Sequence, residues 1–376
     1  MLILFQSIGT LVHYNWALPF YILKERNNFK ITTLSNVFSF LMGGYYYYFK
    51  SNNGLSIKFC NIGVNVTDNF MKKFSLFSKF IKTEKYDLIH INVPEDPLTN
   101  ILLDTKLPKI FTFHGSLDIT TPIPIDKCKL QKIFSKVDAF VVPSDHSAKT
   151  IQEICEFKPI VIHHGVDSSI FNPGIPRNVA RRKLGLHINK KIILWNARLS
   201  PEKRLEDLII ALSLIIRERN DVLVLVKTRA EVPSYKIRIN RLIKRLGVER
   251  HILFDKKWSP LIKMPIYYGV ADLYVNTSAT EAFGSLAMLE AMACGIPTIA
   301  NNSSSNPEAL GDAGLLYNGE PYDLAEKILE ILSNERLARI LSYKSYKRIK
   351  ENLTLTHIAK KYIDLYNRLM GYYSDE

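Results

Sequence analysis

Residues 271–295 read ADLYVNTSATEAFGSLAMLEAMACG, and this stretch decides the fold. Its apolar start predicts a buried strand ending near Asn276, and its end is rich in alanine, leucine and methionine, which favour a helix. Between them lies a loop of small residues that closes on Gly284 and Ser285. A strand, a glycine turn and a helix start together present free backbone N–H groups and the positive end of the helix dipole. Such a turn is suited to binding a diphosphate.

Two glutamates flank this turn. Glu281 lies in the loop, where a carboxylate can accept hydrogen bonds from sugar hydroxyls. Glu290 lies in the predicted helix, where it can accept them from a ribose. Because glutamate is found mostly on protein surfaces, each of the two taken alone is equally consistent with a solvated side chain.

Short apolar runs alternate with amphipathic stretches along the whole chain. The runs are brief and rich in branched residues, which is typical of strands buried on both faces. Strands that alternate with helices form parallel sheets covered by helices on both faces, so the fold class is α/β. Strands are predicted at 2–5, 88–91, 110–113, 139–142, 160–162, 192–195, 222–226, 273–275 and 298–300, and helices at 205–219, 235–246, 285–293 and 324–332.

Length and composition indicate a globular protein of two domains. The chain has 376 residues, of which 47% are hydrophobic and 23% charged. The stretch 166–176, VDSSIFNPGIP, separates two series of strands and carries two prolines and a glycine, which predicts the boundary there. The formal net charge of +14 indicates an anionic partner, which could be a nucleotide, a membrane surface or a nucleic acid.

The N-terminus and the cysteines favour a cytoplasmic protein. The apolar first residues lack a basic segment and a small-residue cleavage site, so they predict a buried strand and not a signal peptide. No uninterrupted apolar run is long enough to span a bilayer. The four cysteines are far apart and have no metal-binding spacing, which predicts free thiols.

A second motif, NARLSPEK at 196–203, follows the predicted strand 192–195. Its Arg198 and Lys203 can converge on one diphosphate, because loops after parallel strands are where such folds bind ligands. The planar guanidinium can bind two oxygens, while the ammonium supplies a compact charge. The alternative is a surface pair of basic residues at the start of the next helix.

Together these motifs resemble family 4 of the glycosyltransferases, the retaining enzymes of the GT-B type, over nearly the whole chain. The family signature has two glutamates around a Phe-Gly turn, then Glu-Ala-Met-Ala-x-Gly-x-Pro; the arginine and lysine of 196–203 resemble its Gly-Arg-Leu-x-x-x-Lys segment. The matching residues of the signature here are Glu281, Phe283, Gly284, Glu290, Ala291, Met292, Ala293, Gly295 and Pro297.

The resemblance implies two Rossmann-like domains facing across a cleft. Residues 1–172 would form the acceptor-side domain, joined by a returning helix at about 355–376, and residues 173–354 would bind the donor. The donor would be a UDP- or GDP-sugar, the acceptor a glycan or a lipid- or protein-linked group, and neither a metal nor a cofactor would be required. Catalytic roles would fall to His114, Arg198, Lys203 and Glu281, and donor binding to Gly9, Phe283, Gly284, Ser285 and Glu290.

The chain departs from the family pattern at several points. Eight residues separate Glu281 from Glu290, where the family has seven, so the loop or the first helical turn must absorb one residue. Asn196 or Ala197 stands where the family has a glycine before the arginine. Two more family glycines are also replaced, in VKTRAE at 226–231, where a glycine pair usually follows the strand, and in FDKKW at 254–258, where Phe-x-Gly-x-Val is common. These replacements leave the nucleotide base open. In those loops Lys227 and Arg229 either add cationic contacts or are solvated.

A basic amphipathic stretch at 70–85 leaves a membrane role open. It places phenylalanines on one helical face and lysines elsewhere, which suits either an anionic membrane surface or packing on the first sheet. A location at the inner face of a membrane is therefore one alternative to a purely cytoplasmic one. Further alternatives are a basic nucleic-acid-binding protein with a transferase-like fold, for which no recognition motif is visible, and a sugar-nucleotide epimerase.

Overall fold

The computed structural model divides the chain into two compact units. One holds the described residues up to His164 and again from Leu355 onward, and the other holds Gly165–Thr354. The division between the units falls between His164 and Gly165, a few residues before the boundary predicted after residue 172. The structure describes residues 2–6, 18, 21–22, 25, 30–35, 57–61, 86–92, 97–115, 127–155, 157–186 and 189–371.

The first unit contains a parallel sheet with strand order β3-β2-β1-β4-β5-β6-β7. The strands that carry LIHI and AFVV are buried at every residue, as expected for branched runs covered by helices on both faces. Its strands are β1 (Leu2–Gln6), β2 (Lys30–Ser35), β3 (Ile57–Asn61), β4 (Leu88–Ile91), β5 (Lys109–Thr112), β6 (Ala139–Val142) and β7 (Ile160–Val161). Between residues 97 and 155 its helices are α1 (Pro97–Leu103), α2 (Lys127–Phe134) and α3 (Asp145–Cys155).

The second unit contains a parallel sheet with strand order β10-β9-β8-β11-β12-β13. Its strands are β8 (Lys191–Asn196), β9 (Val222–Lys227), β10 (Ile252–Asp255), β11 (Leu273–Asn276), β12 (Thr298–Asn301) and β13 (Leu315–Tyr317). Its helices are α4 (Arg177–Lys183), α5 (Leu205–Glu218), α6 (Pro233–Leu246), α7 (Met264–Gly269), α8 (Leu286–Ala293), α9 (Asn306–Leu310), α10 (Pro321–Ser333) and α11 (Glu335–Asn352).

The order of strands in the second sheet positions the candidate site. From β8 the chain builds outward through β9 and β10, and from β11 it builds in the opposite direction through β12 and β13. The sheet order therefore reverses between β8 and β11, which pair in parallel. In open α/β sheets ligands bind outside the carboxyl ends of the strands at such a point. The core beneath it is apolar, with Ile193, Val275 and Leu208 fully buried.

The last helix, α12 (Leu355–Leu369), belongs to the first unit. It is anchored by polar bonds to the sheet: the Tyr366 hydroxyl lies 2.7 Å from His90 Nδ1, and the Tyr362 hydroxyl lies 3.2 Å from Thr112 Oγ1. His90 Nε2 in turn lies 2.8 Å from Thr112 Oγ1. Burial lowers the pKa of His90 to about 3, so this histidine is neutral and structural.

All nine predicted strands and all four predicted helices are present, with ends shifted by at most a few residues. Prediction missed β2, β3, β10 and β13. The strands β10 and β13 form the two edges of the second sheet, and most of their residues are only partly buried. An edge strand needs less apolar surface, so its sequence carries a weaker signal.

Candidate functional site

The loops after β8 and β11 form one hydrogen-bonded surface. The Thr277 hydroxyl donates to the carbonyl oxygen of Lys203 over 2.6 Å, and the Ala279 N–H donates to the carbonyl oxygen of Glu202 over 3.0 Å. From inside the sheet, Trp195 Nε1 donates to Thr277 Oγ1 over 2.9 Å. The segment with the two predicted cations and the loop with the predicted glutamate are therefore held in fixed register.

Each of the two cations is paired with a carboxylate. Lys203 Nζ lies 2.6 Å from Glu281 Oε1 and 3.3 Å from Ser278 Oγ, and both charged side chains are largely buried. Arg198 lies 2.7 Å from Glu202 Oε1, and about half of its side chain is exposed. The structure thus brings Lys203 and Glu281 into direct contact, as residues of one site.

Glu202 is a contact residue of the site that the sequence interpretation left out. Burial by itself raises the pKa of this carboxyl, but hydrogen bonds from Ser200 and Arg198 outweigh it and hold the pKa below its usual range. The Ser200 hydroxyl lies 2.6 Å from the same oxygen that binds Arg198. Glu202 is therefore ionised and orients the guanidinium.

Serines 303–305 clamp the glutamate loop from the other side. The hydroxyls of Ser304 and Ser305 donate to the carbonyl oxygen of Glu281 over 2.9 and 2.7 Å. Ser303 donates to the carbonyl oxygen of Ala279 over 2.9 Å. These three serines, which are adjacent in the sequence, were not predicted as residues of the site.

The loop before α8 accounts for the additional residue between the two glutamates. Helix α8 begins at Leu286, after both Glu281 and Gly284, so Glu281 is not on the helix. An extra residue there changes the length of a loop and does not rotate one carboxylate around a helix axis. The departure in spacing is thus compatible with the contact between Glu281 and Lys203.

Gly284 occupies a position that a larger residue would not fit. Its φ is +50°, in the left-handed region, and a Cβ atom built there would lie 2.4 Å from Met288 Cε and 2.9 Å from Ala309 Cβ. Its N–H donates to Ser305 Oγ over 3.1 Å. The tight turn therefore sets where the next residues, and with them the start of α8, are placed.

Ser285, the predicted first residue of this helix, is instead its N-cap, and α8 begins one residue later at Leu286. Its hydroxyl accepts from the Met288 N–H over 3.1 Å. The amides of Leu286 and Ala287 have no acceptor within the helix, because they belong to its first turn. These donors and the positive dipole end suit an anion. Phe283, which precedes Gly284 in the turn, is fully buried.

Glu290 lies on α8 with its carboxylate next to a tyrosine. Its Oε2 accepts from the Tyr268 hydroxyl over 2.5 Å, and Asn196 Nδ2 donates to the same hydroxyl over 2.9 Å. Burial raises the pKa of Glu290 to about 7, although the hydrogen bond from Tyr268 and the charge of Arg229 lower it. No pattern in the sequence pointed to Tyr268, which lies in a short apolar helix.

His114 lies in the first unit, just beyond β5. Its Nε2 lies 2.9 Å from Asn92 Oδ1, and its Nδ1 lies 3.1 Å from His164 Nε2. Burial, and to a lesser extent His90, lowers the pKa of His114 to about 3. The ring is therefore neutral, and its Nε2 carries the proton that Asn92 accepts. A role in donor binding stays a prediction.

Lys227 is buried and not solvated, and it contacts both the end of β10 and helix α7. It is 1% exposed, lies 3.2 Å from Asp255 Oδ1, and stacks over the ring of Tyr267 at 4.2 Å. Burial by itself raises the pKa of Asp255, but bonds from the Lys257 amide, Tyr267 and Lys227 outweigh it and lower the pKa. Arg229, in contrast, is exposed.

Gly9 and the amphipathic stretch 70–85 lie outside the described residues, so their predicted roles stay predictions. Within the described ranges, no helix combines the length and the apolar character needed to cross a membrane. The same ranges contain no group of three histidine, cysteine, aspartate or glutamate side chains arranged to hold a metal ion.

Two family models match successive parts of the chain. The model described as Glycosyltransferase Family 4 matches residues 67–170, and the model described as Glycosyl transferases group 1 matches residues 176–348. The second range contains Arg198, Lys203, Glu281 and Glu290. Together the two matches span most of the chain.

Curated relatives and a solved structure extend the match. The chain is 28% identical to N-acetyl-alpha-D-glucosaminyl L-malate synthase of Bacillus anthracis, covering 78% of this chain and 77% of the relative. It is 26% identical to alpha-monoglucosyldiacylglycerol synthase of Streptococcus pneumoniae, covering 74% and 67%. Matches to some other relatives cover between 47% and 61% of the relative's length. The structure of Anabaena HepE in complex with UDP and glucose is 19% identical in sequence, and the match covers 98% of this chain and 100% of the HepE chain with a TM-score of 0.76. This similarity confirms the predicted α/β fold with two parallel sheets.

Proposed function

Because this chain belongs to the group 1 glycosyl transferases of family 4, we propose that it moves a sugar from a UDP- or GDP-sugar to an acceptor with retention at the anomeric carbon. It is a glycosyltransferase.

The observation that carries the proposal is the contact between Lys203 and Glu281 across the β8–β11 switch point. It puts a largely buried ammonium next to a clamped loop whose continuation is the start of α8. An incoming diphosphate would exchange the carboxylate partners of Lys203 and Arg198 for phosphate oxygens. Carboxylate pairing holds both cations in place before the anion arrives, and Lys203 is also largely buried.

In the proposed reaction the protein stabilises the leaving diphosphate electrostatically. As the bond between the anomeric carbon and the diphosphate oxygen breaks, negative charge develops on the leaving group. Arg198, Lys203 and the first amides of α8 stabilise that charge, which is electrostatic catalysis aimed at the departing oxygen. Glu281, released from Lys203, accepts hydrogen bonds from the sugar hydroxyls. For His114 to donate to a sugar hydroxyl, its single ring N–H would exchange Asn92 for that hydroxyl. No protein nucleophile is assigned.

For the acceptor, the proposal is a glycan or a lipid-linked group. Support comes from two relatives: one is an N-acetyl-alpha-D-glucosaminyl L-malate synthase, and the other is an alpha-monoglucosyldiacylglycerol synthase. The net charge of +14 fits contact with an anionic membrane surface. Recovery of the protein with anionic but not neutral vesicles in a flotation assay would support that contact, and equal recovery would contradict it.

A thermal-shift panel of UDP, GDP, ADP and their sugars tests the donor. A nucleotide that binds the folded protein at 100 times its Kd stabilises it by about 2.7 kcal/mol. We expect one nucleotide series to raise the melting temperature of the wild type. The shift should shrink in Lys203→Ala and persist in Lys244→Ala, which removes an exposed lysine of α6. Equal shifts in both variants would contradict the diphosphate assignment.

A further inference from the structure

The end of β8, where Asn196 or Ala197 stands in place of the family glycine, supplies a new contact. Asn196, at the end of β8, donates through Nδ2 to the Tyr268 hydroxyl over 2.9 Å. Because that hydroxyl oxygen accepts from Asn196, its own proton is directed to Glu290 Oε2, 2.5 Å away. The three side chains form one chain of bonds in which each donor has a single acceptor.

The tyrosine ring is held rigidly. Tyr268 is fully buried, with Phe171 at 5.9 Å in an edge-on arrangement and Tyr274 at 6.3 Å in a tilted one. The backbone of α7 fixes the start of the side chain, and the aromatic neighbours fix its rotation. The hydroxyl therefore stays at one point beside α8.

The carboxylate of Glu290 has one hydrogen-bond partner among the residues that the structure describes, the Tyr268 hydroxyl. Glu290 is partly exposed as a residue, although its carboxyl is enclosed enough for burial to raise its pKa. The other titratable or charged groups around it are Arg229, whose charge favours the ionised form, and Tyr274 and Cys294, whose own pKa values Glu290 helps to raise. The tyrosine bond occupies Oε2, which leaves Oε1 to accept.

We propose that Tyr268, itself oriented by Asn196, is a positioning residue that aims Glu290, so that its carboxylate accepts hydrogen bonds from the ribose hydroxyls of the donor nucleotide. This role rests on the proposed function, since it requires a nucleoside diphosphate bound at the β8–β11 switch point.

Loss of the tyrosine hydroxyl has a defined consequence. Burial raises the pKa of Glu290 to about 7, and the bond from Tyr268 opposes that rise. In Tyr268→Phe the pKa therefore moves further up, and at neutral pH most of the carboxyl is protonated. A protonated carboxyl accepts fewer hydrogen bonds from ribose, but the phosphate contacts are untouched. Recognition of ribose, and not of phosphate, is the quantity that changes.

Calorimetric titration with UDP, GDP and their 2′,3′-dideoxy counterparts between pH 6 and pH 9 tests this role. In the wild type the affinity ratio of ribose to dideoxyribose nucleotide should rise through about pH 7 and reach about tenfold or more, the effect of a hydrogen bond to a charged group. In Tyr268→Phe the ratio at pH 7 should fall towards one and recover only at higher pH, with little change for the dideoxy nucleotide. Tyr235→Phe, which removes a hydroxyl bound to Glu206, is the matched control and should keep the wild-type profile.

The outcomes distinguish a failure of the proposed function from a failure of the role of Tyr268. A wild type that binds neither nucleotide contradicts the proposed function itself. A wild type that binds both, with the same ratio in Tyr268→Phe at every pH, contradicts only the role of Tyr268, and so does an equal loss of both nucleotides, which is a purely structural effect. If the variant does not fold, a wild-type ratio that stays flat between pH 6 and pH 9 is enough to overturn the proposal.

Discussion

Replacement of Gly284 by alanine measures how tightly the turn before α8 is packed. The residue has a φ of +50°, which costs an alanine about 1–2 kcal/mol. The added methyl would also lie 2.9 Å from Ala309 Cβ and 2.4 Å from Met288 Cε. Methionine can turn away, but Ala309 belongs to α9 and must move with it, so overpacking adds about 1–3 kcal/mol. The expected destabilisation is therefore about 2–5 kcal/mol.

Gly247→Ala is the matched control for this substitution. Gly247 also has a left-handed φ, +66°, but nothing lies within 4 Å of an added Cβ. It should show the backbone cost alone, about 1–2 kcal/mol. Melting temperature and urea midpoint would be measured for both variants, with a fall of roughly 2–4 °C expected per kcal/mol in a domain of this size. If Gly284→Ala is no less stable than Gly247→Ala, the close approach of the turn to α9 is refuted.

Three further predictions concern charges. Arg198→Ala and Lys203→Ala should each lower turnover by about 10²-fold or more, by analogy with loss of an oxyanion donor. Arg336→Ala, on the exposed face of α11, should not. Near-normal steady-state rates in the first two variants would contradict the role of Arg198 and Lys203 in stabilising the leaving diphosphate. The pKa of Glu290, about 7, is raised above that of an unfolded glutamate, so the stabilisation from its protonated form is full below about pH 4.5 and is lost as pH rises through 7. Glu290→Gln should therefore gain stability relative to wild type between pH 5 and pH 8. A difference in unfolding free energy that stays constant over this range in urea denaturation would disprove this. Lys227→Ala should destabilise the protein by about 3–5 kcal/mol, because it leaves Asp255 without its buried partner, whereas Lys244→Ala should change the unfolding free energy little.

The fold was predictable from the sequence because its central strands are apolar at nearly every position. Strands such as Leu88–Ile91 and Ala139–Val142 are covered on both faces, and burial of that kind leaves a direct trace in composition. The edge strand Ile252–Asp255 is only partly covered, and it was missed. Edge position is a tertiary property, so no local pattern reports it.

The candidate site was predictable where chemistry requires one residue type at a fixed spacing. A glycine at a left-handed turn and two cations after a strand are of this kind, and one of those cations, Lys203, contacts the predicted loop glutamate, Glu281. Partners that act only through position could not be predicted. Tyr268 and Ser305 reach the site from other elements, and only the packed fold brings their hydroxyls to Glu290 and Glu281.

The structure of a complex with UDP or GDP tests the central claim most directly. The account predicts that the diphosphate lies within hydrogen-bonding distance, about 2.7–3.2 Å, of Arg198, of Lys203 and of the first amides of α8. In that complex Lys203 should have exchanged Glu281 for a phosphate oxygen. A diphosphate bound away from the loops after β8 and β11, with the pair of Lys203 and Glu281 intact, would contradict it.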